Sequence, residues 1–305
     1  MRETARELEN GAVSAPRPFA ASQPNGMRIR LVDVGARGGI DSRWKPFYHL
    51  LDVVAFEPDP KECAVLSSQR HPYSVRFLPE ALGACDGQQA TLFMCRGPGS
   101  SSVLRPNMKL CGLYPFGEAM EVVGEHPITL QRLDTVCRDF QPDVLKVDTQ
   151  GTELSILQGA VRLLRSALAV ELEVEFVQQY SGQPLFSDVD PFMRQQGFTL
   201  RALKRSYWRT KGHQLHPYGG QIVHGDALYL RLDRIDCDKG HVILSAYRQY
   251  DLLAHFGASH LIPKTSLPLR LASRLLSRHT NRGLRRFVDS LRPPSATDWH
   301  DPDFF

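Results

Sequence analysis

The sequence predicts an α/β fold built on a mostly parallel, doubly wound sheet, closed by a terminal antiparallel strand and followed by a helical C-terminal appendage. Three observations predict it. Two short apolar runs, Leu31–Val34 and Val53–Phe56, each meet a carboxylate at their C-terminal end, Asp33 and Glu57. Gly35, Gly38 and Gly39 lie between them, where a strand must turn sharply into the next element. From Met27 to about Arg234, apolar runs of strand length alternate with stretches of helical period, and the distance from Asp33 to Glu57 suits one βαβ unit.

Residues 1–26 are rich in Ala, Pro, Ser, Asn and Glu without an apolar period, which predicts a disordered tail; Met27, directly before the first strand, is a candidate start. Strands are predicted at Arg28–Val34, Val53–Phe56 and Val75–Pro79, with Pro58 and Pro60 ending the second. Gln88–Cys95 and Met120–Val123 read as a β excursion off the main sheet, joined through the Gly/Pro/Ser loop Arg96–Pro106. Val144–Val147 is a core strand. Thr152–Leu164 is a helix whose Leu157, Ala160, Val161 and Leu164 fall on one face. Leu168–Val174 is the next strand, Asp190–Gln196 a helix ended by Gly197, and Phe198–Leu203 with Ala227–Leu232 the closing pair.

Residues 27–234 therefore read as one domain and 235–305 as a helical, Arg-rich extension. Arg270, Arg274, Arg278, Arg282 and Arg286 recur every four residues, along one helix face. That face is either a solvated rim on a helix packed against the main domain, or a basic surface for anionic lipid headgroups or an acidic partner. The 305-residue chain has a net charge of +4, too modest to call for nucleic acid. Its six scattered cysteines lack a pairing framework and no apolar run spans a bilayer, which predicts a cytoplasmic protein, peripheral at the inner face of a membrane if the basic helix binds lipid.

The glycine order selects the ligand. A dinucleotide fold wants Gly-x-Gly-x-x-Gly, with a pyrophosphate on the helix N-terminus. Here the order is Gly-x-x-Gly-Gly, two residues after Asp33. That carboxylate repels a pyrophosphate and attracts an ammonium and a sulfonium, which favours S-adenosylmethionine over NAD. Glu57, after the second strand, is placed to accept hydrogen bonds from a ribose diol. The second signature is Asp143-Val-Leu-Lys-Val-Asp-Thr-Gln-Gly-Thr-Glu153. Ligands of open parallel sheets bind beyond the C-terminal strand ends, the layer that holds Asp148 and Glu173. Glu153, in a first helical turn, has a simpler reading as a cap. His213 and His216, in the loop before the last strand, offer two ligand spacings but no third or fourth, so no metal is predicted; either is also a candidate on the acceptor side.

Asp33-Val-Gly-Ala-Arg-Gly-Gly39, Ala55-Phe-Glu-Pro-Asp-Pro60, Ala81-Leu-Gly followed by Gly87, Ser100-Ser-Ser102, Leu133-Asp134 and Leu145-Lys-Val-Asp-Thr-Gln-Gly-Thr-Glu-Leu-Ser-Ile-Leu-Gln-Gly159 occur in that order. Together they resemble the FkbM family of S-adenosylmethionine-dependent methyltransferases, over roughly Met27 to Leu203. The resemblance implies a Rossmann-like methyltransferase fold, and O-methylation of a hydroxyl on a sugar, glycan or natural-product acceptor rather than action on nucleic acid. N-methylation of another acceptor, or a non-catalytic partner subunit that keeps the fold, are the alternatives. It further implies that Asp33, Gly35, Ala36 and Gly39 approach the methionine half of the cofactor. Glu57 and Pro58 would take the ribose, and Glu80 and Ala81 would border the adenine. Asp148 would face the transferred methyl group, as the first candidate for general base, with Glu173 the second. Arg37, where the family usually has Asn, and Thr149-Gln150, where Val-Glu is common, are departures expected to act on the substrate side, together with Glu153.

Overall fold

The structure, a computed structural model, describes residues 26–212 and 220–263. Among them β1 (Ile29–Val34), β2 (Leu51–Phe56), β3 (Ser74–Leu78), β7 (Val144–Val147), β8 (Ala169–Glu175), β9 (Thr199–Trp208) and β10 (Gln221–Leu230) form a seven-stranded sheet in the order β3-β2-β1-β7-β8-β10-β9. The first five of these neighbours run parallel; β10 is antiparallel to both β8 and β9. The order reverses at β1, between β2 and β7, and an open sheet binds its ligand at such a switch point. A second sheet, β4 (Ala81–Leu82), β6 (Val122–Gln131) and β5 (Gln88–Cys95), is the predicted excursion. Its return strand runs on to Gln131, past the polar Gly124–Pro127 stretch that hides it in the sequence.

Side chains alternate across each strand, so β1 sends Val32 and Val34 to one face and Leu31 and Asp33 to the other. The first face packs under α4 (Glu153–Gln158), α5 (Val161–Leu164) and α6 (Phe186–Gln195), through Ile156, Leu157, Leu163, Leu164 and Met193. The predicted helix Thr152–Leu164 is broken into α4 and α5 at Gly159, where a Cβ would lie 2.2 Å from the carbonyl oxygen of Gly83. The opposite face is covered by a 3₁₀ helix, Ser42–Leu50, which carries Pro46, and by α7 (Asp238–Ala246) and α8 (Tyr250–His255). Trp44, Phe47, Ile243, Leu244, Tyr247 and Leu253 are buried there with Leu31, Val53 and Ala55. Lys239 Nζ also pairs with Asp143 at 2.9 Å. Residues at the start of the extension thus help to bury this face of the sheet. The Arg-rich stretch from Lys264 to Arg292 lies outside the described residues, as do His213, His216 and residues 1–25. Among the described residues no helix is long and apolar enough to cross a membrane.

Candidate functional site

Where β1, β2 and β7 end, a cavity of about 310 Å³ opens under the small sheet, which roofs it with Leu92, Met94 and Ile128. The strand ends reach it through two tight turns. Gly35 takes φ +87°, and a Cβ there would lie 1.9 Å from the Asp148 carbonyl oxygen, so only glycine lets the turns after β1 and β7 approach this closely. Gly35 N–H donates to the Phe56 carbonyl at 3.0 Å, and Asp148 N–H to that of Val34 at 3.0 Å. In the second turn Gln150 stands at φ +60°, a strained conformation for a residue with a side chain, beside Gly151 at φ +102°. The strain is held by neighbours: the buried Ser102 hydroxyl donates to the Gln150 carbonyl at 2.8 Å, and Tyr180 Oη to its Oε1 at 3.1 Å.

Of the residues singled out in the sequence, Gly35, Arg37, Glu57, Pro58, Glu80, Ala81, Asp148 and Gln150 line the cavity. Asp33, Ala36, Gly39, Glu153 and Glu173 do not. Asp33 points to the other face of the sheet because the pleat sends it there with Leu31. It is 1% exposed, and its Oδ1 pairs with Lys146 Nζ at 3.3 Å. Burial raises its pKa and Lys146 opposes the rise. Glu171, alongside Lys146 on β8, continues the cluster with Arg43 at 3.0 Å and Tyr247 Oη at 2.9 Å. The expected ligand carboxylate is therefore the centre of a buried ionic network that fastens the 3₁₀ helix and α7 to the sheet.

Glu57 behaves differently. Its carboxylate opens to the cavity while remaining 5% exposed, and its Oε1 accepts the Asp59 N–H at 2.9 Å. Burial raises its pKa, and the Asp59 amide and Arg37 pull it back. Arg37 lies at this end, 3.5 Å from Glu57 and 2.9 Å from Asp59. Glu80 Oε2, next along the wall, is buried with no hydrogen-bond donor among the described residues.

Asp148, which also lines the cavity, is the open carboxylate, its side chain 41% exposed and 3.8 Å from Lys146. Glu173 is half-buried, its side chain 12% exposed: Gln150 Nε2 donates to Glu173 at 2.9 Å and to Asp148 at 3.4 Å, which puts the amide between the two acids. Its other oxygen pairs with His224 Nδ1 at 2.9 Å. Glu153 caps its turn, accepting from Thr149 N–H at 2.8 Å, Thr149 Oγ1 at 3.1 Å and Gly151 N–H at 3.2 Å. Glu153, Glu173 and Glu175 crowd within 4.8 Å of one another. Burial and mutual repulsion push Glu153 up to about 8, and burial beside Asp148 pushes Glu173 up to about 7. Lys146 and Ser102 carry much of this arrangement, and sequence reasoning gave neither of them a role. Only Lys146 leaves a signal, a cation between Leu145 and Val147 in a strand buried on both faces.

Comparison with known proteins adds the family. The model of the FkbM methyltransferase domain matches residues 33–200, more than half of the chain. No curated protein matches it. Among solved structures, the chain is similar to the methyltransferase FkbM from Methylobacillus flagellatus (15% identity, TM-score 0.37), over 67% of this chain and 43% of that one. It thus spans less than half the length of that relative. A TehB-like SAM-dependent methyltransferase from Corynebacterium glutamicum (10%, TM-score 0.31) is matched over 67% of this chain and 80% of that one. Precorrin-6y C5,15-methyltransferase from Geobacter metallireducens (10%, TM-score 0.33) is matched over 67% and 82%. By its matching domain, the chain belongs to the FkbM family of S-adenosylmethionine-dependent methyltransferases.

Proposed function

We propose that the cavity at the sheet switch point holds S-adenosylmethionine, and that the protein methylates a hydroxyl of a sugar, glycan or other small natural-product acceptor. The observation that carries this reading is the pair of acids on one wall. Glu57 presents a carboxylate with Oε2 free of protein donors among the described residues, which fits a ribose diol. Glu80 Oε2 is a buried acceptor without a donor, and an unmatched acceptor beside a cavity fits an amino group such as that of adenine. When bound, the cofactor supplies an activated methyl group. The chain's own task is then to hold an oxygen in line, roughly 3 Å from that methyl, and to take its proton. Asp148 is the most open carboxylate in the lining of the cavity after the β7 strand end. Gln150, held by Tyr180 and Ser102, fixes its direction, and Glu173 stands behind the amide as a supporting group.

Calorimetry with S-adenosylhomocysteine tests the binding half. Glu57→Ala is expected to weaken binding by about 1.5–3 kcal/mol, roughly 10- to 150-fold. Unchanged affinity removes Glu57 from the site. Release of S-adenosylhomocysteine on hydroxylated acceptors, compared with amine acceptors of similar size, separates O- from N-methylation; turnover on amines alone overturns the hydroxyl assignment.

A further inference from the structure

The guanidinium of Arg37 leaves the glycine turn after β1 and crosses to the start of α1 (Pro60–Ser68). There it meets three carboxylates: Asp59 Oδ2 at 2.9 Å, Glu57 Oε1 at 3.5 Å and Glu62 Oε2 at 3.9 Å. Asp59 anchors it from a helix N-terminus it also caps, through its Oδ1 and the Lys61 N–H. The Arg37 ion pair and the Asp59 amide hydrogen bond both engage Oε1, which leaves Oε2 for the cavity that Glu57 lines. Among the described residues, Asp59 and Glu62 on the α1 side repel the Glu57 charge, the buried Cys63 thiol on α1 lies near it, and Glu80, after β3, lines the same cavity. Among the described residues Arg37 is the one cation paired with Glu57.

We propose that Arg37 is a positioning residue for the cofactor: clamped on Asp59, it keeps Glu57 ionised and its Oε2 aimed at the ribose, and thereby holds cofactor affinity level into mildly acid solution. This rests on the reading of Glu57 as the ribose acceptor. Burial favours the uncharged carboxyl at Glu57, and two neighbouring acids add to that. Without the cation a buried carboxylate takes up a proton at higher pH. A protonated Glu57 accepts more weakly from a diol, so affinity falls as pH falls through its pKa.

The test is the affinity of the full chain for S-adenosylhomocysteine from pH 8.5 to 5.5, by calorimetry, for wild type, Arg37→Gln and Arg37→Lys. In Arg37→Gln the acid loss is expected to begin at higher pH than in wild type, so that the variant binds about tenfold more weakly near the lower limit than its own value at pH 8.5. Arg37→Lys, which keeps the charge and loses the fork, is expected to restore most of the wild-type profile. Profiles of the same shape in wild type and Arg37→Gln overturn the proposal and leave the cofactor site standing. A wild-type chain that binds at no pH overturns both. If Arg37→Gln fails to fold, Arg37→Met takes its place as the uncharged variant, and a profile of the same shape as wild type again overturns the proposal.

Discussion

At the scale of single residues, the fate of a carboxylate is set by the face of the strand it occupies. Asp33 and Glu57 both end apolar strands, yet the pleat turns one into the ionic cluster and the other to the cavity. The Asp33–Lys146 pair is worth little in isolation, since two desolvation penalties offset its attraction. Breaking it is another matter. Lys146→Met is expected to strand a buried carboxylate and cost about 3 kcal/mol, the low end for buried pairs because Lys146 retains one-fifth of its exposure. Urea unfolding measures it, and a variant as stable as wild type shows the pair to be idle. Half of this was legible in the sequence. The acids and glycines were visible as strand ends and turns, but which acid meets solvent depends on the register of β1 against β7, where Asp33 is opposite Lys146.

At the scale of elements, the sheet needs both of its faces covered, and the chain supplies the second cover late. α7 and α8 bury Ile243, Leu244 and Leu253 against β1 and β2, and Tyr247 ties α7 to Glu171. Ile243→Ala is therefore expected to destabilise the whole fold by about 2–5 kcal/mol, seen as one cooperative shift of the urea midpoint. A variant with unchanged main transition makes these helices a separate unit. The sequence places a change of character at Ile235, and helices do follow it. Periodicity alone does not say whether a helix face meets its own sheet or solvent. The same holds for Thr152–Leu164, one apolar face by period, which Gly83 splits by approaching the backbone at Gly159.

At the scale of the whole molecule, buried acids make stability depend on pH. Glu153 and Glu173 are raised to about 8 and about 7, first by burial and then by Glu173 beside Glu153 and Asp148 beside Glu173, against an ordinary value of 4.5. Between these limits the folded chain holds more protons than the unfolded one, so stability falls as pH rises. The contribution is fully present below about 4.5 and is lost as pH climbs through 7 to 8. Urea midpoints are expected to be lower at pH 8.5 than at pH 6. Glu153→Gln, which cannot ionise, is expected to narrow that difference. A difference undiminished in the variant places the linkage elsewhere.

The sequence by itself determined the class of fold, the order of its strands and turns, and the family signature, because these depend on patterns a few residues long: apolar runs, glycines after strands, and an acid at a strand end. Tertiary structure alone decided which of those acids face the cavity. It set Arg37 beside Glu57 and Gln150 between Asp148 and Glu173, and made Lys146 and Ser102 part of the arrangement. The physical reason is range. A turn or a strand is written in neighbouring residues, whereas the pairing of Asp33 with Lys146, or of Ser102 with Gln150, joins positions far apart in the chain that only strand register and the roofing sheet bring within hydrogen-bond distance.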